Sequence, residues 1–157
     1  MGRRGILMAG LAMLGLVAAG ACDRGGTTTQ AGASSVFRLQ TGECFHSSAP
    51  TAGRTVRVKD VSPVNCGEAH DGEVFATFTH PAAGGVAYPG DESVADFAAA
   101  ECLQRFPAYT GTGYDDSDLA VATVRPDHDS WTGKDDRQVA CVLYQQGTTL
   151  TGSRHKA

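Results

Sequence analysis

The sequence has few of the short motifs that mark catalytic sites. It contains no C-x-x-C pair, which argues against thioredoxin-type redox chemistry. It contains neither G-x-S-x-G nor H-E-x-x-H, so the hydrolase classes that these motifs define have no support. The net charge of −4 is mild and lysine is scarce relative to arginine, which gives no sign of a nucleic-acid-binding surface. We therefore expect a protein that is not an enzyme, holds no cofactor and does not bind nucleic acid.

The first residues have the composition of an export signal. Arg3 and Arg4 form a charged start, residues 6–19 are apolar, and the segment is too short and too rich in glycine and alanine for a comfortable spanning helix. It ends with small residues directly before Cys22, as in a bacterial lipobox. This predicts a lipoprotein signal peptide over residues 1–21 and a diacylated Cys22 as the mature N-terminus. An ordinary secretory signal with an incidental cysteine is the alternative, and the export route, general or twin-arginine, stays open.

A polar segment follows the predicted lipid anchor. Residues 23–35 are rich in glycine, serine and threonine and contain no large apolar side chain, so they cannot bury enough surface to fold. We interpret residues 22–35 as a lipidated cysteine with a flexible tether that spans about 20 Å as a random coil. This predicts a domain held at the outer face of the cytoplasmic membrane through its lipid.

The cysteine count agrees with this interpretation. An exported protein with an odd number of cysteines needs an explanation, and lipidation of Cys22 accounts for one of the five. The other four are expected to form two disulfides in an oxidising compartment. Each bridge would add roughly 3–4 kcal/mol by constraining the unfolded chain. The remaining cysteines are Cys44, Cys66, Cys102 and Cys141.

Apolar alternation predicts four or five strands. Residues 36–39 and 55–61 form the first two, with a break at Ser62-Pro63, and residues 74–78 form a core strand. Residues 119–124 and 138–144 form the last two, and residues 125–137 between them have the length of an elaborated hairpin loop. The domain is predicted to span residues 36–147, followed by a polar, frayed tail over residues 148–157.

One helix is expected between the core strand and the last pair of strands. Asp91 or Ser93 can cap its start, and Pro107 is expected to end it. One apolar face, which contains Phe97 and Ala98, should cover the residues of the core strand. We therefore predict a small α+β domain, with this helix on a mostly antiparallel sheet and two disulfides. The apolar residues of that helix face are Val94, Phe97, Ala98, Cys102 and Phe106, and those of the strand are Val74, Ala76 and Phe78.

The same pattern favours one disulfide pairing. Cys102 lies on the apolar face of the helix, and Cys141 lies on the inward side of the last strand. A helix packed on that strand would bring these two together, which leaves Cys44 to pair with Cys66. Sequence alone leaves three pairings open.

His70 and Glu73 are the main candidate site residues. They lie between Cys66 and the core strand, across a turn. They are interpreted first as turn residues that bond the backbone and second as partner-binding residues. A metal site with Cys66 and His80 is a further possibility, but the spacing fits no zinc pattern and a disulfide would remove Cys66 as a ligand. We therefore predict no metal site.

Two other features have both a functional and a structural interpretation. The acidic segments 115–118 and 127–129 suggest calcium ligands, but neither matches the EF-hand loop, so we interpret them as solvated turns. Trp131 is placed in the predicted hairpin loop. It is either an exposed anchor for a partner or a side chain folded over the sheet edge, and the second is favoured.

Several short segments occur in a fixed order: Gly42-Glu43-Cys44-Phe45, Val64-Asn65-Cys66, Ala69-His70-x-x-Glu73-Val74, Pro89-Gly90, Pro126 with Trp131, and Asp136-Arg137-Gln138-Val139-Ala140-Cys141. Their order and spacing resemble the actinobacterial septum formation domain family. The similarity covers residues 37–145 and implies a secreted or membrane-tethered extracytoplasmic module with four cysteines and a link to division septa; it implies no reaction. We therefore expect a non-catalytic module that binds a septal or cell-wall protein or polymer. The rival hypotheses are an enzyme that acts on wall polymer or lipid-linked precursor with His70 and Glu73 as acid/base groups, and a redox-sensing module.

Overall fold

The computed structural model describes residues 34–35, 39–47 and 60–157. The predicted signal peptide, Cys22, most of the tether, and residues 36–38 and 55–59 of the two predicted strands lie outside the described residues. Among the described residues, no helix is both long enough and apolar enough to cross a membrane. Those residues form the strands β1 (Ser34–Ser35), β2 (Cys44–Ser47), β3 (Asp60–Val64), β4 (Ala69–His70), β5 (Gly72–Thr79), β6 (Ala120–Val124), β7 (Gln138–Tyr144) and β8 (Leu150–Thr151), and the helices α1 (Asp91–Thr110) and α2 (His128–Lys134).

The strands form one large sheet and one small one. The large sheet has the order β1-β3-β2-β5-β7-β6, every neighbouring pair is antiparallel, and β4 pairs with β8 separately. The predicted α+β class with a mostly antiparallel sheet is confirmed. In the described part of the chain the sheet has six strands rather than four or five. Two of these strands have no counterpart in the prediction: β1, whose two serines were assigned to the tether, and β2.

The predicted break at Ser62-Pro63 is wrong. Both residues lie inside β3, where they pair with His46 and Phe45 of β2. A proline removes one hydrogen-bond donor from a strand, but its fixed φ is compatible with extended backbone. The strand therefore continues through it.

A β-bulge divides the apolar residues of β5 between the two faces of the sheet. Pairing with β7 shifts between Val74 and Ala76. Phe75 consequently joins Ala76 and Phe78 against α1, whereas Val74 packs into a second core on the opposite face with Phe45. The prediction that Val74 faces the helix is therefore wrong, because one extra residue reverses the alternation.

Helix α1 begins and ends differently from the prediction. Its N-cap is Gly90, and no side chain caps the first turn. Pro107 lies inside the last turn, so its prediction as the stop is wrong. The helix ends at Gly111, which adopts a left-handed φ of 82° and donates its N–H to the Pro107 carbonyl. This extension places Tyr109 on the buried face of the helix.

Two disulfides connect these layers. Cys102–Cys141 joins α1 to the central strand β7, and Cys44–Cys66 joins β2 to the segment before β4. The second bridge lies beside the residues that the sequence singled out as a candidate site.

Two parts of the chain that the sequence predicted as irregular are ordered. The predicted hairpin loop contains α2, whose start is capped by Asp127 and Ser130 in a reciprocal capping box. The predicted frayed tail is also wrong. Leu150 is fully buried, β8 pairs with β4, and Gly152 donates its N–H to the Cys66 carbonyl. We call residues 150–156 the C-terminal strap.

Candidate functional site

The candidate site forms where β5 begins. Glu73 lies opposite Cys44 in the register of β5 and β2, so the two side chains lie on the same face. Glu73 is completely buried. Its Oε1 accepts hydrogen bonds from the Tyr109 hydroxyl at 2.7 Å and the Ser153 hydroxyl at 2.5 Å, and its Oε2 accepts from the backbone N–H of Arg154 at 2.7 Å. Helix α1 and the C-terminal strap thus meet at this one carboxyl group.

Tyr109 is held in its protonated form. Burial raises the pKa of Tyr109 to about 12, and the hydrogen bond to Glu73 and its charge contribute in the same direction. A phenol with this pKa remains a hydrogen-bond donor at physiological pH. The Tyr109 ring also packs against Phe75 and His155, and its carbonyl accepts the N–H of Lys156. The strap is therefore fixed to α1 as well as to Glu73.

His70 is the second buried polar residue of the site. It is fully buried in β4, and its Nδ1 lies 2.8 Å from the Glu68 carbonyl oxygen. Its Nε2 finds no hydrogen-bond partner in the described part of the protein. One ligand atom each from Cys44, His70 and Glu73 lie within 4.8 Å of one another. In the disulfide form Cys44 is not a thiolate, so only His70 and Glu73 are ordinary metal ligands there.

The two candidate acid/base groups of the site have no contact with solvent in this structure. A general acid or base has to come within hydrogen-bond reach of the proton that it transfers. His70 and Glu73 are both completely buried, and the donors around Glu73 belong to the chain itself. Both residues bond the backbone, as the first interpretation of the sequence expects, but they lie in β4 and β5 rather than in a turn.

His80 does not belong to this cluster. It follows the far end of β5, roughly 23 Å along the strand from Glu73. Its Nδ1 accepts the N–H of Ala82, and its ring contacts Phe97 and Trp131. Burial and the charge of Arg137 lower the pKa of His80.

Trp131 is an interior residue of a second aromatic cluster. It is only 1% exposed, and its Nε1 donates to the Val86 carbonyl at 2.7 Å. The Arg137 guanidinium lies 3.7 Å from the centre of its ring, and Tyr88 packs edge-on against it. The hypothesis of an exposed partner-binding anchor has no basis here, because the side chain is buried against Tyr88, His80 and Arg137. Burial, with the hydrogen bond and charge of Asp91, raises the pKa of Tyr88 to about 12.

The acidic segments are explained by local structure. Asp127 caps α2 by accepting the Ser130 N–H. Residues Tyr114–Asp116 form an exposed 3-10 turn. The interpretation of residues 127–129 as a solvated turn is therefore wrong, since they start a helix, whereas residues 115 and 116 lie in an exposed turn as predicted.

The residues that complete the site were not found from the sequence. Tyr109 was missed because the helix was ended two residues before it, and Ser153 and Arg154 because the tail was expected to fray. Ser153 and Lys156 also have the S-x-x-K spacing of some acyl-transfer enzymes. Here Ser153 donates to Glu73 and accepts the His155 N–H. This hydrogen bonding gives Ser153 a structural role.

Comparison with known families decides the relationship of the chain. A family model described as septum formation matches residues 19–156. The chain belongs to the septum formation family. The match extends from the residues before Cys22 to the end of the C-terminal strap, and family membership indicates a role in the septum during cell division. No curated protein and no solved structure matches the chain.

Proposed function

We propose that this septum formation protein is a lipoprotein on the outer face of the cytoplasmic membrane. Its disulfide-bonded domain binds a septal or cell-wall protein or polymer and catalyses no reaction. Family membership supports the septal context, and the small residues before Cys22 support the lipid anchor. The tether keeps the domain close to the membrane.

One observation carries the non-catalytic part of the proposal. The best acid/base candidates, His70 and Glu73, are completely buried, and Glu73 accepts three hydrogen bonds from the chain itself. A carboxyl group used in this way stabilises the fold and has no free path to a substrate. A binding role needs only an exposed face. The large hydrophobic side chains exposed in the described residues are Val86, Leu103 and Tyr114, at 49%, 40% and 38%.

The binding role is tested by photo-crosslinking in dividing cells. A photoreactive amino acid is placed at Val86, Leu103 or Tyr114, with Glu92 as a matched position that is exposed but polar. We expect a specific adduct with a septal or cell-wall component from at least one of the three positions and none from Glu92. Absence of an adduct at all three positions, or the same adducts at all four, contradicts the proposal.

The anchor and the septal location have separate tests. Wild-type protein should incorporate labelled palmitate and sediment with membranes, whereas Cys22→Ser should do neither. Palmitate labelling that persists in the Cys22→Ser protein contradicts the lipid site. A tagged wild-type protein should concentrate at septa, and a uniform distribution with normal septa in a deletion strain contradicts the septal role.

A further inference from the structure

The proposed binding role leaves one buried cluster unused. Cys44, His70 and Glu73 are all buried, and one donor atom of each lies within 4.8 Å of the others. The fold forces this arrangement, because β2 and β5 place Cys44 opposite Glu73 and β4 ends directly before β5. Buried polar atoms in proteins are nearly always paired, so an unpaired one here needs a reason.

The His70 ring provides that unpaired atom. The Glu68 carbonyl accepts only, so the His70 Nδ1 that lies 2.8 Å from it carries the proton and donates. In the neutral ring Nε2 then carries a lone pair, is buried, and finds no partner among the described residues. Metal-binding histidines have this arrangement, with one nitrogen donating to a carbonyl and the other facing the metal.

Glu73 has capacity left for one more partner. The two oxygens of a carboxylate offer about four acceptor positions. Three are taken by Tyr109, Ser153 and the Arg154 N–H, and the one that remains is on Oε2. Hydrogen bonds of this kind orient carboxylate ligands in metal sites.

The Cys44–Cys66 disulfide decides whether sulfur ligands are present. Reduction yields two thiols: Cys44 lies in the cluster with His70 and Glu73, and Cys66 is adjacent because it is bonded to Cys44 in the disulfide form. Two thiolates, one imidazole and one carboxylate make a four-ligand set suited to zinc. In a tetrahedron with ordinary zinc bond lengths the ligand atoms lie about 3.3–3.8 Å apart. The atoms of Cys44, His70 and Glu73 now lie within 4.8 Å of one another, so they need to approach by at most about 1–1.5 Å, and the freed Cys66 sulfur has to turn toward them.

We propose that Cys44, Cys66, His70 and Glu73 bind one Zn²⁺ in the dithiol form of the protein, and that disulfide and metal are alternative states of this site. A dithiol reductant gives two electrons to the Cys44–Cys66 bond and becomes a disulfide itself. Zn²⁺ then displaces the two thiol protons. Cys66 is partly exposed and offers the sulfur for attack, whereas Cys102 and Cys141 are completely buried.

The test uses the chain from residue 22 onward with Cys22→Ser, so that lipid and the fifth thiol are absent. The protein is reduced with dithiothreitol, desalted without oxygen and titrated with Zn²⁺ against a chromophoric chelator. We expect one Zn²⁺ per reduced chain and less than a tenth of an equivalent for the oxidised chain. Equal binding by both forms, or no binding by the folded reduced form, overturns the proposal.

Variants identify the ligands. His70→Ala should weaken Zn²⁺ binding by at least tenfold, whereas His80→Ala, at a histidine outside the cluster, should leave it unchanged. Replacing both Cys44 and Cys66 with serine should abolish binding under the same reducing conditions. An unchanged affinity in His70→Ala, or binding that survives loss of both cysteines, contradicts the assignment.

Wild-type protein gives an answer that does not depend on whether a variant folds. X-ray absorption at the zinc edge should show two sulfur ligands near 2.3 Å and two nitrogen or oxygen ligands near 2.0–2.1 Å. Four sulfur ligands would indicate that all cysteines gather around zinc in an unfolded chain, and no sulfur ligands would indicate a different site. Either result overturns the proposal.

Discussion

Glu73→Gln changes the hydrogen bonding of a buried group while keeping its size. The amide oxygen of glutamine can replace Oε1 and accept from Tyr109 and Ser153. The amide NH2 then takes the place of Oε2 and points a donor at the Arg154 N–H, which is also a donor. One hydrogen bond is lost, and a backbone donor is left without an acceptor.

The expected cost is large for a domain of this size. A hydrogen bond to a charged group contributes about 1.5–3 kcal/mol, and a buried unsatisfied donor costs about 1–3 kcal/mol. These ranges overlap in what they count, so we expect a loss of about 2–4 kcal/mol in the free energy of unfolding. Total stability in such domains is about 5–15 kcal/mol.

The assay is urea unfolding at pH 7 of the oxidised Cys22→Ser protein with and without Glu73→Gln. Glu68→Gln serves as the control, because Glu68 is exposed and should change stability by less than about 0.5 kcal/mol. Amide hydrogen exchange should show faster exchange at Arg154 in the Glu73 variant alone. If the free energies of unfolding of the Glu73→Gln protein and its parent differ by less than about 0.5 kcal/mol and the Arg154 amide stays protected from exchange, the strap is not held by this carboxyl group.

Three further predictions concern other parts of the fold and use the same unfolding assay. Gly72→Ala should destabilise the domain by about 1–3 kcal/mol, because a Cβ at this position would lie 2.8 Å from the buried ring of Phe45. Gly133→Ala should stabilise it by about 0.5–1 kcal/mol, because Gly133 lies in helix α2 and a Cβ there would have no atom within 4 Å. The opposite order of stability would contradict both predictions. Trp131→Ala should lower the free energy of unfolding by about 3–5 kcal/mol, with unfolding measured by circular dichroism. A loss below about 1 kcal/mol would indicate that the side chain is exposed. Burial and the charge of Arg137 lower the pKa of His80 in the folded protein below 6.5. The contribution of neutral His80 to the free energy of unfolding is therefore present above pH 6.5 and is lost as the pH falls through the folded pKa. His80→Gln should flatten the acid side of the curve of stability against pH, and an unchanged slope would contradict this.

The helix and the central strands could be predicted because their apolar residues repeat locally. The face that contains Ala98, Cys102 and Phe106 has the period of a helix, and it packs on β7 through Cys141 as expected. Val74 was misplaced because a bulge reverses the alternation by one residue, and alternation alone does not reveal a bulge.

The candidate site could be located but not completed from the sequence. His70 and Glu73 were identified from their position between a cysteine and a core strand. The partners of Glu73 are 36 residues away at Tyr109 and 80 residues away at Ser153, and no local periodicity connects positions so distant. Helix α2 was missed because it has only seven residues and contains Gly133, so its propensity is weak and its capping box at Asp127 was the better signal.

The position of the strap has a consequence for the export that we propose. A chain that crosses a membrane from its N-terminal end presents Glu73 long before residues 150–156 arrive. Until then a carboxyl group at the entry of the central strand lacks two of its three donors, so the domain cannot reach its final packing while it is still emerging. The same dependence affects the choice of reporter for imaging. A fluorescent protein joined directly after Lys156 would lie next to the last contacts with Tyr109, whereas one inserted within residues 23–33 would be far from them in sequence.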